Sequence, residues 1–320
     1  MKRNEFVETL RVAHATLKKG NVRPCLEIHL YGTQSRGSFK DALAAAAQTI
    51  DGHFPGALRY YRTNTMGAAK SIAPDATTLI ENFVASDEKK PAKLSGIEFF
   101  GGEKASAFDL PSLDWFSTRL TPGDGIPPTR SYLRVCIPPE GDVASPDALR
   151  SLARRLLKDF PLLAGHCGWS YYTGGGFSDA EAVIDRDLPG WLLRHPGVTV
   201  GAPLGQANLM LDGLLATSWL TFVSEPLAKA HGQDLTALAK AASARGLGSE
   251  MVLPGVLEIQ AGPRPETGDV NRQDLLPAYR QAGEVLAALA MTDERAKFQT
   301  IANMDFEGKV AWYRRFFGEA

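Results

Sequence analysis

The chain has 320 residues, 44% apolar and 22% charged, which suits a globular body of two domains or one large one and excludes a disordered or fibrous chain. Lys and Arg total 35 against 36 for Asp and Glu, a formal charge of -1. No global field therefore draws the protein to nucleic acid, and recognition of a partner has to come from a local surface.

The N-terminus, Met1 to Glu5, has no apolar signal region and runs into residues 4–19, where Phe6, Leu10, Ala13 and Leu17 stand at helical spacing. Leu26, Ile28 and Leu30 alternate with Glu27, His29 and Tyr31, the pattern of a strand. No second His or Cys lies at ligand spacing, so His29 reads as a half-exposed strand residue rather than a ligand. Ser38 and Asp41 resemble a capping box for a helix with Leu43, Ala46, Ala47 and Ile50 buried, ending near Gly52. Residues 58–63 can return as a strand. Pro74 and Asp75 open a helix with Leu79, Ile80, Phe83 and Val84 apolar, and residues 86–93 read as a polar loop. Residues 97–100 are a short strand, and 109–128, rich in Pro, Gly and Asp, a long irregular connection.

The second half opens at about Thr129, which gives expected units 1–128 and 129–320. Leu133, Val135 and Ile137 alternate with Tyr132, Arg134 and Cys136. Residues 146–160 carry the strongest helical periodicity, with Leu149, Leu152, Ala153, Leu156 and Phe160 inward. Arg150, Arg154, Arg155 and Lys158 then form a basic face, expected to be solvated because no aromatic or glycine pattern accompanies it. Residues 26–30 line up with 133–137, and each is followed by a helix closing on Phe-Pro and then by an aromatic strand. Duplication of a strand, helix, strand unit is one account of this match and chance is another.

Gly174 to Gly176 precede Ser178 and Glu181, a second capping-box pattern for a short helix ending at Pro189 and Gly190. His195, Pro196 and Gly197 form a turn, residues 209–223 hold a buried apolar run with Trp219, and residues 235–244 are helical. Residues 256–261 read as a strand with Leu257, Ile259 and Ala261 on one side and Glu258 and Gln260 on the other. Gly262, Pro263, Pro265 and Gly268 then fix a stiff loop that could hold a recognition surface or simply connect to the next helix. That helix, about 274–290, uses Leu275, Tyr279, Ala282, Leu286 and Leu289, with Pro277 in its first turn. Trp312, Tyr313, Phe316 and Phe317 make a tail apolar enough that it must dock or pair two copies as a homodimer. The irregular strand spacing fits no doubly wound repeat, so the expected class is α+β, a mostly antiparallel mixed sheet flanked by helices.

Catalytic signatures are missing. The sequence has no phosphate-binding loop, dinucleotide fingerprint, His-Glu-x-x-His or nucleophile elbow. Cys25, Cys136 and Cys167 are too far apart, without a Cys-x-x-Cys pair, to suggest disulfides or structural zinc. His166 and Cys167 leave opposite faces of a strand and cannot form a dyad. Gly174 to Gly176 could cradle an anion or be a plain turn. Asp185 and Asp187 flank Arg186 but lack a third metal ligand, so no metal and no cofactor is expected. No run reaches the roughly 18 apolar residues of a membrane span.

Four groups of residues occur in a telling order: His195, Pro196, Gly197 and Val198; Ser218, Trp219, Leu220 and Thr221; Ile259 to Gly262 with Pro265, Gly268 and Asp269; and Pro277, Tyr279 and Arg280. This order, over about residues 165–289, resembles the TsiV-like family of type VI secretion immunity proteins. The resemblance implies a cytoplasmic self-protection protein, not an enzyme, that binds a cognate secreted effector toxin and neutralises it by steric occlusion. Nucleases of the restriction-endonuclease fold are among that family's partners, and no direct contact with nucleic acid or membrane is implied. No catalytic residue is carried over. Asp179, Glu181, Asp185 and Asp187 are the candidate partner-binding cluster, able to meet a basic nuclease groove. Favouring the helix dipole is the other reading of Asp179 and Glu181. The competing functions are a small-molecule enzyme using Cys167 or an acidic pair, and an assembly protein joined through its aromatic tail.

Overall fold

Strands from both halves of the sequence join one sheet. The computed structural model describes residues 7, 23–32, 37–73, 75–89, 94–118, 130–174, 188–199, 213–214, 216–293 and 304–318. Its strands are β1 (Arg23–Gly32), β2 (Tyr60–Thr63), β3 (Lys70–Ser71), β4 (Leu94–Gly101), β5 (Asp109–Thr118), β6 (Arg130–Ile137), β7 (Ala164–Tyr172), β8 (Leu220–Ser224), β9 (Gly248–Leu253) and β10 (Val256–Gln260). They stand in the order β3-β2-β4-β5-β6-β1-β7-β8-β10-β9, each neighbouring pair antiparallel, which is the α+β class expected. β1 lies between β6 and β7. The segments aligned as a repeat are neighbours, Leu26 opposite Ile137 and Leu30 opposite Leu133.

The helices are α1 (Gly37–His53), α2 (Ala76–Lys89), α3 (Pro146–Leu157), α4 (Leu188–Arg194), α5 (Glu225–Ala230), α6 (Leu235–Ala244), α7 (Pro277–Leu286) and α8 (Phe306–Arg314). Period-two alternation sends Leu26, Ile28, Leu30, Leu133, Val135, Leu113 and Trp115 to one face. There α1 packs on β5 and touches α2 and α3, and Phe83 of α2 meets Trp115 edge to face. At the far end α6 lies on the opposite face. Ser249, in register with Ile259 on β10, donates to Ala239 O of α6, while Glu258, the residue before Ile259, turns toward α3. Several starts are set by local chemistry: Asp75, Asp234 and Asp305 cap α2, α6 and α8, and Pro occupies the first turn of α3 and α7.

Several expectations change. Residues 109–118 form β5, because Leu113 and Trp115 alternate with Ser112, Asp114 and Phe116, a pattern hidden by the Pro and Asp around it. α2 continues to Lys89, so residues 86–89 are helical. Pro189 and Gly190 lie in the first turn of α4 instead of ending a helix. Arg150 and Arg154 are not simply solvated. Arg150 Nε and Arg154 Nη2 bind Glu258 at 2.7 and 2.9 Å, and Arg154 also binds Glu250. Glu258 is fully buried, and such a carboxylate has to be met by cations; Arg155 and Lys158 stay exposed.

The helix expected at residues 4–19 lies outside the described residues except for Val7, which is helical and buried. The aromatic tail docks. Trp312, Tyr313, Phe316 and Phe317 are buried in the core of their own chain, which removes the apolar surface that argued for a homodimer. Gly283 makes this docking possible, since a Cβ there would stand 1.9 Å from Phe316 O.

Candidate functional site

The loop after β10 is where the sequence motifs meet. Gly262 (φ 90°) and Gly268 (φ 65°) take backbone angles that favour glycine. Trp219 Nε1 donates to Gly262 O at 3.1 Å and Trp169 Nε1 to Pro265 O at 3.2 Å. Gly197 N donates to Thr267 O at 2.8 Å, and a Cβ at Gly197 would stand 2.2 Å from Glu266 O. Loop and turn therefore pack backbone to backbone. His195 Nδ1 donates to Gly268 O at 2.8 Å; burial lowers the pKa of this ring, so it is the neutral form with its proton on Nδ1 that suits the bond. The Glu266 N–H donates to Tyr279 Oη at 3.0 Å, and Arg194 grips Asp269 with Nε and Nη2 at 3.2 and 2.9 Å.

A groove lies beside this platform. It encloses about 210 Å³ and is lined by Leu192, Leu193, Val270, Leu275, Trp312 and Phe316 among others, with Arg280 and Arg315 as its charged members. Leu193, Val270 and Leu275 are 55%, 39% and 48% exposed, and among the described residues only Met251 and Phe306 are comparable large apolar side chains in the open. Leu275 is thus not the buried helix residue expected, since α7 begins two residues later. Between Val270 and α7, Gln273 and Leu276 hold φ of 58° and 52°, a strained turn of the kind found where a surface is fixed for binding.

A polar constellation sits inside the sheet. Cross-strand pairing sets Arg62, Glu98, Asp114, Arg134, His29 and His166 in one row from β2 to β7. Glu27 Oε2 accepts from Arg134 Nε at 2.6 Å, and its Oε1 lies 3.1 Å from His166 Nε2 and 3.3 Å from Thr199 Oγ1. Arg134 Nη1 is 3.7 Å from Asp114 and Nη2 donates to Tyr171 O. Burial opposes the charge on Glu27, yet Arg134 with the two histidines brings its pKa well below the carboxylate range. Burial and Glu98 push Asp114 up. Burial also lowers His29 to about 4, so His29 is a fully buried neutral residue, not the half-exposed one expected. Its second histidine arrives by strand pairing, which sequence spacing cannot show. Glu27, His29 and His166 bring three ligand atoms within 4.8 Å, but Arg134 already supplies the positive charge that a metal ion would bring. Cys167 points to the other face, buried, its thiol pushed up by that burial.

A family model described as type VI immunity for VRR-NUC matches residues 42–316. The chain belongs to the TsiV family. The TsiV match takes in every strand except β1, and with them both the groove and the loop platform. The solved structure of the Pseudomonas aeruginosa T6SS protein PA0821 is similar, with a TM-score of 0.73 at 15% identity over 98% of this chain and 91% of that one; this likeness shows the same fold. No curated protein matches the chain.

In this TsiV chain the motif residues His195 to Val198, Trp219, Gly262, Pro265, Gly268, Asp269 and Tyr279 come together at one platform. The acidic residues Asp179, Glu181, Asp185 and Asp187 lie outside the described residues, as do Gly175, Gly176 and Ser178. Sequence reading missed Leu193, Val270 and Arg315 because the groove they line joins separate segments. The available signal was the density of glycine and proline in residues 262–268. Among the described residues no helix is long and apolar enough to cross a membrane.

Proposed function

We propose that this chain is the immunity partner of a type VI effector carrying a VRR-NUC nuclease domain, and that it binds the effector in the cytoplasm and neutralises it by covering the nuclease, without turnover. The family match across residues 42–316 carries the reading. Burial of the reactive groups supports it: Cys167, His166, Glu27 and His29 are all enclosed, whereas the groove beside the loop platform is open and apolar with aromatic and Arg members, the composition of a binding interface. Occlusion of this kind needs an interface of about 1,200 to 2,000 Å².

Co-expression with a VRR-NUC effector from the same genome is the decisive experiment. Cells carrying both genes should grow, cells carrying the effector alone should lose their DNA, and one equivalent of purified protein should stop cleavage of plasmid DNA. Equal killing with and without the chain refutes the reading. The acidic cluster Asp179, Glu181, Asp185 and Asp187 is proposed as part of the polar rim that meets a basic surface on the nuclease. Reversing all four charges should weaken binding about tenfold, mostly through a slower on-rate, with the difference fading in high salt. Unchanged association kinetics at low salt would remove this surface from the interface.

A further inference from the structure

We propose that the groove between α4 and α8 is a socket for one large apolar side chain of the effector that stands beside a carboxylate. The inference rests on the immunity reading and says which face of the chain meets the nuclease.

Three observations converge. Exposed apolar side chains are concentrated here, since Leu193, Val270 and Leu275 all line one cavity of about 210 Å³, room for a Leu- or Phe-sized side chain. The charge is one-sided. Arg280 and Arg315 line the cavity and no Asp or Glu does; among the described residues neither arginine has a carboxylate at ion-pair distance. Arg315 lies over the Trp312 ring at 3.8 Å, with Nε bonded to Pro196 O and Nη1 to Trp312 O. Its Nη2 and Trp312 Nε1 are buried donors with no acceptor among the described residues. Burial pulls Arg315 down to about 9, yet the guanidinium stays charged at pH 7, leaving a demand for negative charge that the described residues do not meet. Finally, the walls are pre-set by the bonds between Arg194 and Asp269 and between His195 and Gly268, so little order has to be imposed on binding.

The test uses the full chain and the purified VRR-NUC effector that it protects against in co-expression, inactivated in its nuclease site. Binding is measured for the unsubstituted chain, Leu193→Asp, Leu275→Asp, Arg280→Glu and a control, Met251→Asp, whose side chain is equally open on β9, away from the groove. All four positions are exposed, so thermal melts should stay close to the parent. Expected are losses of about thirtyfold or more for the two Leu variants, about tenfold for Arg280→Glu, and none for Met251→Asp. Parent-like binding by the groove variants overturns this inference and leaves the immunity reading standing. If the unsubstituted chain fails to bind, both fall. If the chain is a dimer that Leu193→Asp and Leu275→Asp dissociate without loss of effector affinity, the socket belongs to a second copy and the inference is overturned.

Discussion

Arg134→Met should lower the free energy of unfolding by about 3–5 kcal/mol, seen as an earlier urea midpoint with an unchanged slope. Met keeps much of the aliphatic volume, so packing loss is the smaller part. The larger part is Glu27, a fully buried carboxylate left with His166, His29 and Thr199 but no guanidinium beside it, and Asp114, which loses its nearest cation. Protonation limits the damage, which gives the effect a pH signature. In the parent, the folded pKa of Glu27 is depressed, so its contribution is present above the unfolded value of about 4.3 and is lost as pH falls through the folded value. Without Arg134, burial dominates and the pKa rises above the unfolded one. The variant's deficit should therefore be larger at pH 7 than at pH 5. Adding Glu27→Gln to Arg134→Met should recover much of the loss, because the uncompensated charge disappears. A cost below about 1 kcal/mol at pH 7, the range of an exposed ion pair, would mean that this pair does not hold the polar face together.

The same residues show how far the sequence could be read. Alternation of Leu26, Ile28 and Leu30 with Glu27, His29 and Tyr31 identified β1 and its two faces, because side-chain direction in a strand follows from period two alone. It could not say that both faces would be covered. That depends on which strands flank β1, and His166 and Arg134 reach it from 137 and 105 residues away by pairing. The basic stripe of α3 fails for the same reason: Arg150 and Arg154 were visible, but their partner Glu258 sits on β10, where it looked like the outer residue of a half-exposed strand. β5 was hidden because Pro111 and Asp109 carry turn signals into a strand whose central residues still alternate. At the candidate site, the glycines and prolines of residues 262–268 marked the loop correctly. The groove beside it draws on separate segments, Leu192 to Pro196, Val270 to Arg280 and Ala311 to Phe316, so no single stretch of sequence announces it.

Between pH 6.5 and about 4 the parent should lose roughly 3 kcal/mol of stability relative to His29→Gln. The folded pKa of His29 is about 4, lowered first by burial, against about 6.5 for an unfolded histidine. Across that window the unfolded chain takes up a proton that the folded chain refuses, so unfolding is favoured progressively as pH falls; above 6.5 the ring is neutral in both states and the term vanishes. About 2.5 units at 1.36 kcal/mol each sets the size. The groups around the ring do not reverse the sign. Glu27 lies 3.6 Å from Nδ1 and favours a proton, while Arg134 and His166 oppose it, and Tyr31 Oη, 2.9 Å from Nδ1, donates to the neutral ring. Asp114 acts in the opposite direction. Its folded pKa is raised, so the cost of ionising it is relieved as pH falls, which makes the difference between parent and variant the proper readout. Gln keeps an acceptor for Tyr31 and cannot take the proton. Urea unfolding of both proteins at pH 7, 6, 5 and 4.5 measures that difference. If it stays constant, His29 binds its proton equally well in the folded and unfolded chains, and burial in this row is not what keeps the ring neutral.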